Sequence, residues 1–325
     1  MRAKIVLVAL VLLSLGWMLA PSAFPQSYPA RPIEVLVPYT AGSSVDLMGR
    51  VVADIAPKYV GQPLVVVNKV GAGGSVAAAD VIGSRPDGYK LVIQGNMFFA
   101  TTTKSQKIPF DPNDLEPLYN FMEWRLGMAV RQNCPWKGLK ELLDYARKNP
   151  GEVRFGHSGR GIPPHMAALL IFKQAGVQVN EITYKGSPEV ATALLGGHLD
   201  VISVPVGTIQ ELVAGRKLRV ITVYADRGYE DLPDAPAVVE LGFPDAAKLL
   251  TYAGFYIHKN TPESIKAYLI EAFKKTSADP KVAEGIVKLG EFPRFGGPEF
   301  LREKIRQGEE VGVPILKELG LYVGK

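Results

Sequence analysis

Three segments of this chain put glycine, serine and proline where an apolar run gives way to a helical period. Such turns can hold an anion on backbone amides alone. The first is Pro38-Tyr39-Thr40-Ala41-Gly42-Ser43-Ser44-Val45-Asp46. Ser43 is spaced to cap a helix, and Asp46 three residues on completes a capping-box-like pair. A helix start leaves unpaired N–H groups and the positive end of its dipole, so the backbone around Gly42–Ser44 is a candidate carboxylate cradle. The second is Asn68-Lys69-Val70-Gly71-Ala72-Gly73-Gly74. It lacks the third glycine of a dinucleotide fingerprint, and no Gly-Lys-Ser/Thr ending makes a phosphate loop. The third is Gly156-His157-Ser158-Gly159-Arg160-Gly161. Here loop amides and the Ser158 hydroxyl can donate to an anion, and Arg160 adds charge. The same residues suggest a hydrolase nucleophile elbow, with Asp200, Asp226 and His258 following in the required order. That motif, however, needs glycine where Arg160 stands.

Other chemistry is sparse. His157, His165, His198 and His258 show none of the short helical spacings of a zinc site, so no metal is expected. The single Cys134 allows no internal disulfide and no thiolate cage, and it reads as a small buried residue. Phe98 and Phe99 follow Gly95-Asn96 at a strand end, where they can line a pocket.

The elements that must position these turns follow from periodicity. Ile33–Val37, Leu64–Val67 and Lys90–Gln94 read as strands, with helices over about 45–57 and 75–84 between them. The Leu64–Val67 run is too apolar to be half-exposed. This alternation is the pattern of a parallel α/β sheet. It recurs with different residues from Leu139 to Tyr224, and helices follow at Pro262–Ala278, Pro280–Leu289 and Pro298–Leu319. Thr261 is placed to cap the first of these. With 325 residues, 47% hydrophobic and 21% charged, the chain has ordinary globular composition, which excludes disorder, collagen and coiled coil for the whole chain and fits two α/β domains.

The first 26 residues read as an export signal. Arg2 and Lys4 precede an apolar run from Ile5 to Ala20 and a small-residue exit, and no cysteine follows to take a lipid. Loss of Arg2 and Lys4 lowers the formal charge of +5 to +3. The remaining charges alternate in sign, so no nucleic-acid partner is expected.

Taken together, the turns resemble the periplasmic substrate-binding proteins of tripartite tricarboxylate transporters, the Bug receptors. The resemblance is carried by Tyr28-Pro29…Arg31-Pro32-Ile33, Pro38-Tyr39…Gly42…Asp46…Arg50 and Gly61-Gln62-Pro63…Asn68…Gly71-Ala72-Gly73-Gly74. It continues through Pro86-Asp87-Gly88-Tyr89, Phe110-Asp111-Pro112, Asn149-Pro150-Gly151, Phe155-Gly156…Ser158-Gly159…Gly161…His165, Tyr184-Lys185-Gly186 and Gly196-Gly197-His198-Leu199-Asp200. It implies a two-domain, hinged flytrap of the periplasmic-binding-protein class, with residues 27–123 and 254–325 in domain 1 and 124–253 in domain 2. It also implies a monomeric periplasmic receptor without cofactor or catalysis, which delivers a small carboxylate to an inner-membrane permease. The ligand-binding residues expected are Tyr39, Ala41, Gly42, Ser43, Ser44, Asn96, Phe98, Phe99, His157, Ser158, Gly159, Arg160 and Pro205, while Asp46 caps its helix.

The chain departs from the family pattern in places. The family usually has glycine at Ser43, serine at His157 and Ile162, and Ser or Thr near Pro163 and Pro164. Proline removes N–H donors from that helix start. With Tyr39, Phe98 and Phe99 nearby, the expected ligand has an apolar or aromatic body and one carboxylate at Gly42–Ser44. The alternatives are an exported serine hydrolase using Ser158, or a sensor with the same pocket and no permease.

Overall fold

The computed structural model describes residues 28–323; the export signal read at 1–26 lies outside them. The chain divides into a unit of residues 1–30, of which only 28–30 are described, and a unit of residues 31–325 that carries both sheets. In chain order the elements are β1 (Ile33–Val37), α1 (Ser44–Ile55), β2 (Leu64–Asn68), α2 (Ser75–Ile82), β3 (Lys90–Gly95), β4 (Leu115–Glu123), β5 (Leu126–Arg131) and α3 (Leu139–Lys148). Then follow β6 (Arg154–His157), α4 (Pro163–Gln174), β7 (Asn180–Thr183), α5 (Ser187–Leu195), β8 (Val201–Pro205), α6 (Val206–Ala214) and β9 (Leu218–Val223). The last are β10 (Tyr252–His258), α7 (Glu263–Ser277), α8 (Pro280–Lys288), β11 (Phe292–Gly296) and α9 (Pro298–Glu318).

One sheet has the order β11-β4-β10-β3-β1-β2 and the other β7-β6-β8-β5-β9. Each is mixed rather than purely parallel. β1 to β3 and β6 to β8 make the parallel pairs that the strand–helix alternation predicts. β10, β4 and β11 add antiparallel strands to the first sheet, and β5 lies antiparallel to β8 and β9 in the second. None of β4, β5, β10 and β11 was legible as a strand in the sequence.

The sheets and their helices form two lobes joined at two places. β4 passes into β5 through only Trp124 and Arg125, and the chain returns from β9 to β10 through residues 224–251. Trp124 N–H donates to the Thr251 carbonyl at 2.8 Å, so the two crossings are tied together.

Helix α1 lays Val45, Met48 and Val52 on the first sheet, one face of a 3.6-residue period. The centre of this lobe is aromatic. Phe121 is fully buried among Phe255, Phe273 and Phe295, with ring centroids 5.5 to 6.1 Å away. Burying each such ring contributes about 1.5–3 kcal/mol. α7 and α9 pack on β4.

Two local expectations are corrected. β2 is an edge strand, and Val65 and Val67 are exposed. An apolar run does not reveal whether both of its sides will be covered. Thr261 does not cap α7. Pro262 holds the N-cap position, and the Thr261 hydroxyl is buried without a partner among the described residues.

Candidate functional site

The first and third turns meet from opposite lobes. A small cavity of about 20 Å³ is lined by Tyr39, Ser43, Ser44, Val45, Trp124, Ser158, Ile162, Pro164, Ser187 and Pro205. That is room for little more than a water molecule. It adjoins, through Tyr39 and Ser158, a mouth of about 460 Å³. The mouth is lined by the Gly71–Gly73 turn, Gln106, Gly159, Arg160, Tyr184 and Lys185, among others. The lobes are closed on each other here. Ser44 Oγ lies 3.1 Å from Thr208 Oγ1, and Thr101 Oγ1 donates to the Gly161 carbonyl at 3.3 Å.

The first turn is organised by Asp46. Ser43 is the N-cap of α1, its hydroxyl accepting from Asp46 N–H at 3.3 Å. The Asp46 carboxylate accepts from Gly42 N–H (2.9 Å), Asn68 Nδ2 (2.8 Å) and both Nε and a terminal nitrogen of Arg50. Burial opposes its ionisation, but the hydrogen bonds from Arg50, Gly42 and Asn68 outweigh it and hold its pKa below the ordinary value. Asn68 also donates to the Tyr39 carbonyl, so the whole turn is braced.

This bracing changes the expected donor set. Gly42 N–H is spent on Asp46, Ser43 N–H on the Thr40 carbonyl and Ser44 N–H on Thr208 Oγ1. The Ser44 hydroxyl donates to Glu291 at 2.8 Å. Hydroxyls facing the cavity take the place of those amides. Ser43 still has its own proton to donate, and Ser158 and Ser187, with hydroxyl oxygens 3.2 Å apart, can satisfy each other and have one proton left.

Several expected residues lie elsewhere. Phe98 and Phe99 pack in the first lobe's core, Phe99 against Tyr256 at 4.7 Å, because β10 and α9 cover the strand end they follow. Asn96 is an internal brace. Its amide nitrogen donates to the Leu250 and Lys304 carbonyls, and its oxygen accepts from Tyr252 N–H. Ala41 is exposed in the turn and does not line the cavity. His157 is fully buried behind the loop. Trp124, Ser187 and Val45 also line the cavity and were not among the expected residues, and Ile162 and Pro164 stood out only as departures from the family pattern. Ser187 had a usable signal, since Tyr184-Lys185-Gly186-Ser187-Pro188 is another strand-to-helix turn. Trp124 had none, because its place depends on the pairing of the two crossings. Its indole N–H is buried without a partner among the described residues.

Behind the Ser158 loop, His157 Nε2 and His165 Nε2 both face one oxygen of Glu181, at 3.0 and 3.1 Å. These three groups converge closely enough to hold a metal ion. The tautomer argues otherwise. Gly161 N–H donates to Nδ1 of His165 at 3.0 Å, so the neutral ring carries its proton on Nε2 and has no lone pair there to offer. The trio is a hydrogen-bonded brace for the ligand loop. His157 Nδ1 also meets the Gly159 carbonyl at 2.8 Å.

The brace predicts acid sensitivity. Burial holds the His165 pKa below 6.5, and the hydrogen bonds from His157 and His165 hold Glu181 below 4.5. Both groups bind protons more weakly when folded, so stability falls with pH, first below about 6.5 and further below about 4.5. Thermal melting from pH 7.5 to 4 is expected to show this. Glu181→Gln should melt lower at neutral pH and lose less below pH 4.5. Parallel curves for the two proteins would refute the brace.

Among the described residues the Ser158 hydroxyl makes no hydrogen bond to a histidine or a carboxylate. That hydroxyl meets Ser187, Asp200 is bound by Arg154 at 2.7 and 2.8 Å, and His258, at the end of β10, accepts from Asn260 N–H. A wider depression of about 1160 Å³ lies against Phe99, Phe110 and Leu115 in the first lobe. Its rim cations are already paired, Lys104 with Glu309, Arg302 with Glu116 and Lys259 with Asp114.

Two α/β lobes, joined by two crossings and closed over a small cavity, define a solute-binding protein of the periplasmic-binding-protein class. The chain belongs to the tripartite tricarboxylate transporter family receptors, whose model matches residues 48–310. A Cupriavidus necator protein described as "UPF0065 protein in gbd 5'region" is 32% identical over 296 residues, covering 90% of this chain and 89% of that one. Protein BugT of Bordetella pertussis is 28% identical over 299 residues, covering 90% and 91%. The solved periplasmic binding protein BugD is 26% identical with a TM-score of 0.85, covering 91% of this chain and 99% of its own. These family and structural relatives are binding and transport receptors. Among the described residues no helix is long and apolar enough to cross a membrane.

Proposed function

We propose that this chain is a periplasmic receptor without catalysis. It captures a small carboxylate between a lobe of residues 27–123 and 254–325 and a lobe of residues 124–253, and presents the closed form to a membrane permease. One observation carries the reading. Both lobes contribute to a cavity whose polar lining is serine hydroxyls, the Tyr39 phenol and one indole N–H without a partner among the described residues, with no carboxylate among the lining residues. Such a lining donates to an anion and leaves no negative charge facing it. The other walls are the Tyr39 ring, Val45, Ile162, Pro164 and Pro205, which suit an apolar or aromatic body in place of the expected Phe98 and Phe99. Since the cavity holds little more than a water molecule, the lobes part to admit the ligand, and its free end extends toward the mouth.

Thermal-shift screening of the mature protein is the test. The panel is citrate, succinate, malate, adipate, and aromatic and long-chain monocarboxylates. A ligand at about a hundred times its Kd stabilises by about 2.7 kcal/mol. The largest shift is expected from an acid with an apolar body. Stabilisation by citrate or succinate alone would sink that ligand class, and no shift with any acid would sink the receptor reading. Arg160 is exposed at the mouth. Calorimetry on Arg160→Ala is expected to show binding weaker by about 1–3 kcal/mol, as for a charge-assisted hydrogen bond. An unchanged Kd would assign Arg160 to solvent.

A further inference from the structure

One buried ionisable group touches every part that cleft closure must bring together. Glu291, just before β11, is 2% exposed. One carboxyl oxygen accepts from Ser44 Oγ at 2.8 Å and from Gly207 N–H at 3.2 Å, and the other accepts from Arg125 N–H at 2.7 Å. Ser44 is a wall of the cavity. Arg125 is the second residue of the two-residue crossing, and Trp124, the first, also lines the cavity. Gly207 lies in the first turn of α6, on the second lobe. The same crossing residue accepts Val206 N–H through its carbonyl at 2.7 Å. A carboxyl is rarely buried this deeply unless its partners justify it, and here the partners come from the cleft wall, the hinge strand and the opposite lobe.

We propose that Glu291 is a positioning residue for closure, whose carboxyl holds Ser44, the crossing strand and the first turn of α6 in the closed arrangement. This rests on the receptor reading of the cleft, but the latch can be observed without ligand. When the lobes part, Gly207 and Ser44 separate and the carboxyl meets water.

A pH dependence follows. Burial pushes the Glu291 pKa up to about 8, against the hydrogen bonds from Arg125 and Ser44. The closed form therefore holds the proton more tightly than a solvated open form, its O–H turning to Ser44 Oγ, which then accepts, while the carboxyl oxygens keep lone pairs for Gly207 and Arg125 N–H, and closure weakens as pH rises from about 4.5 to about 8. The charged and titratable groups around it are Arg125, Asp231, Glu123 and Tyr229. Arg125 is pinned by Asp231 at 2.6 and 2.9 Å and lies over the Tyr229 ring, so it remains in place as Glu291 titrates. Ser44 and Thr208, which face Glu291 from α1 and α6, do not titrate in this range.

The test is the interlobe distance in ligand-free mature protein. Fluorophores are placed at Asp54→Cys on α1 and Glu211→Cys on α6, both exposed, in a Cys134→Ser background. The distance is expected to lengthen as pH rises from about 4.5 toward about 8 and to level off above it. Glu291→Gln keeps the volume but turns an amide N–H toward a backbone donor. That variant should be open and pH-independent, and should bind the best acid of the screen at least tenfold more weakly through faster dissociation. A pH-independent distance in the unsubstituted protein overturns the latch, and needs no Glu291 variant to fold. So does a Glu291→Gln protein as closed as its parent. If no acid binds but the distances change as expected, the receptor reading fails and the latch stands.

Discussion

Gly161→Ala is expected to weaken ligand binding at least thirtyfold while the ligand-free protein loses only a few degrees of melting temperature. Gly161 has a φ of 73°, a left-handed conformation that costs a non-glycine residue about 1–2 kcal/mol. That strain acts in the open and closed forms alike. The second effect acts only on closure. A Cβ at this position would lie 2.0 Å from Ser105 Oγ and 2.5 Å from Ser105 Cβ, on the opposite lobe. Rotating Ser105 does not relieve the second contact, and its hydroxyl is already held by the Thr102 carbonyl at 2.9 Å. The loop or the lobe must give way, and every 1.4 kcal/mol of that displacement costs a factor of ten in affinity. Calorimetry with the best acid from the screen gives the Kd, and melting without ligand gives the common strain. Adding Ser105→Gly removes the obstructing atoms and should restore most of the affinity. Unchanged affinity in Gly161→Ala would mean that ligand binds without the closure seen here.

Trp124→Phe is expected to weaken binding while leaving the stability of the ligand-free protein nearly unchanged. The indole N–H is buried with no hydrogen-bond partner among the described residues. An unsatisfied buried donor costs about 1–3 kcal/mol, so its removal should relieve the ligand-free protein. The smaller ring leaves a gap worth on the order of 1 kcal/mol, and the two effects nearly cancel in the melting temperature. Binding has no such offset. A ligand carboxylate that accepts this N–H loses a hydrogen bond, and affinity should fall about tenfold. Trp124→Ala would confuse the result, because it also removes apolar wall. Equal affinity for Trp124→Phe would show that the indole serves only to fill space.

Much of the site was legible because it is local. Ser43 and Asp46 lie within one helical turn, so their spacing alone specifies the cap. Ser158 and Arg160 follow a strand and precede a helix; Ser158 lines the cavity and Arg160 its mouth. Reading failed where a side chain's role depends on remote chain. Phe98 and Phe99 follow a strand end much as the ligand loops do, but Tyr256 and α9 cover them. The Gly42–Ser44 amides suit an anion in isolation, yet Asp46, the Thr40 carbonyl and Thr208 take them.

The strand–turn–helix units, the anion-suited turns and the family pattern can all be read along the chain, since each depends on residues a few positions apart. Which turns face each other, and which donors stay available, is set by the packing of the lobes. It seated Trp124 between the lobes and brought Glu291 to Ser44 across 247 positions of chain. Those choices follow from strand order and lobe closure, which no short-range pattern encodes. Whether an N–H is spare depends on what the far end of the chain places beside it.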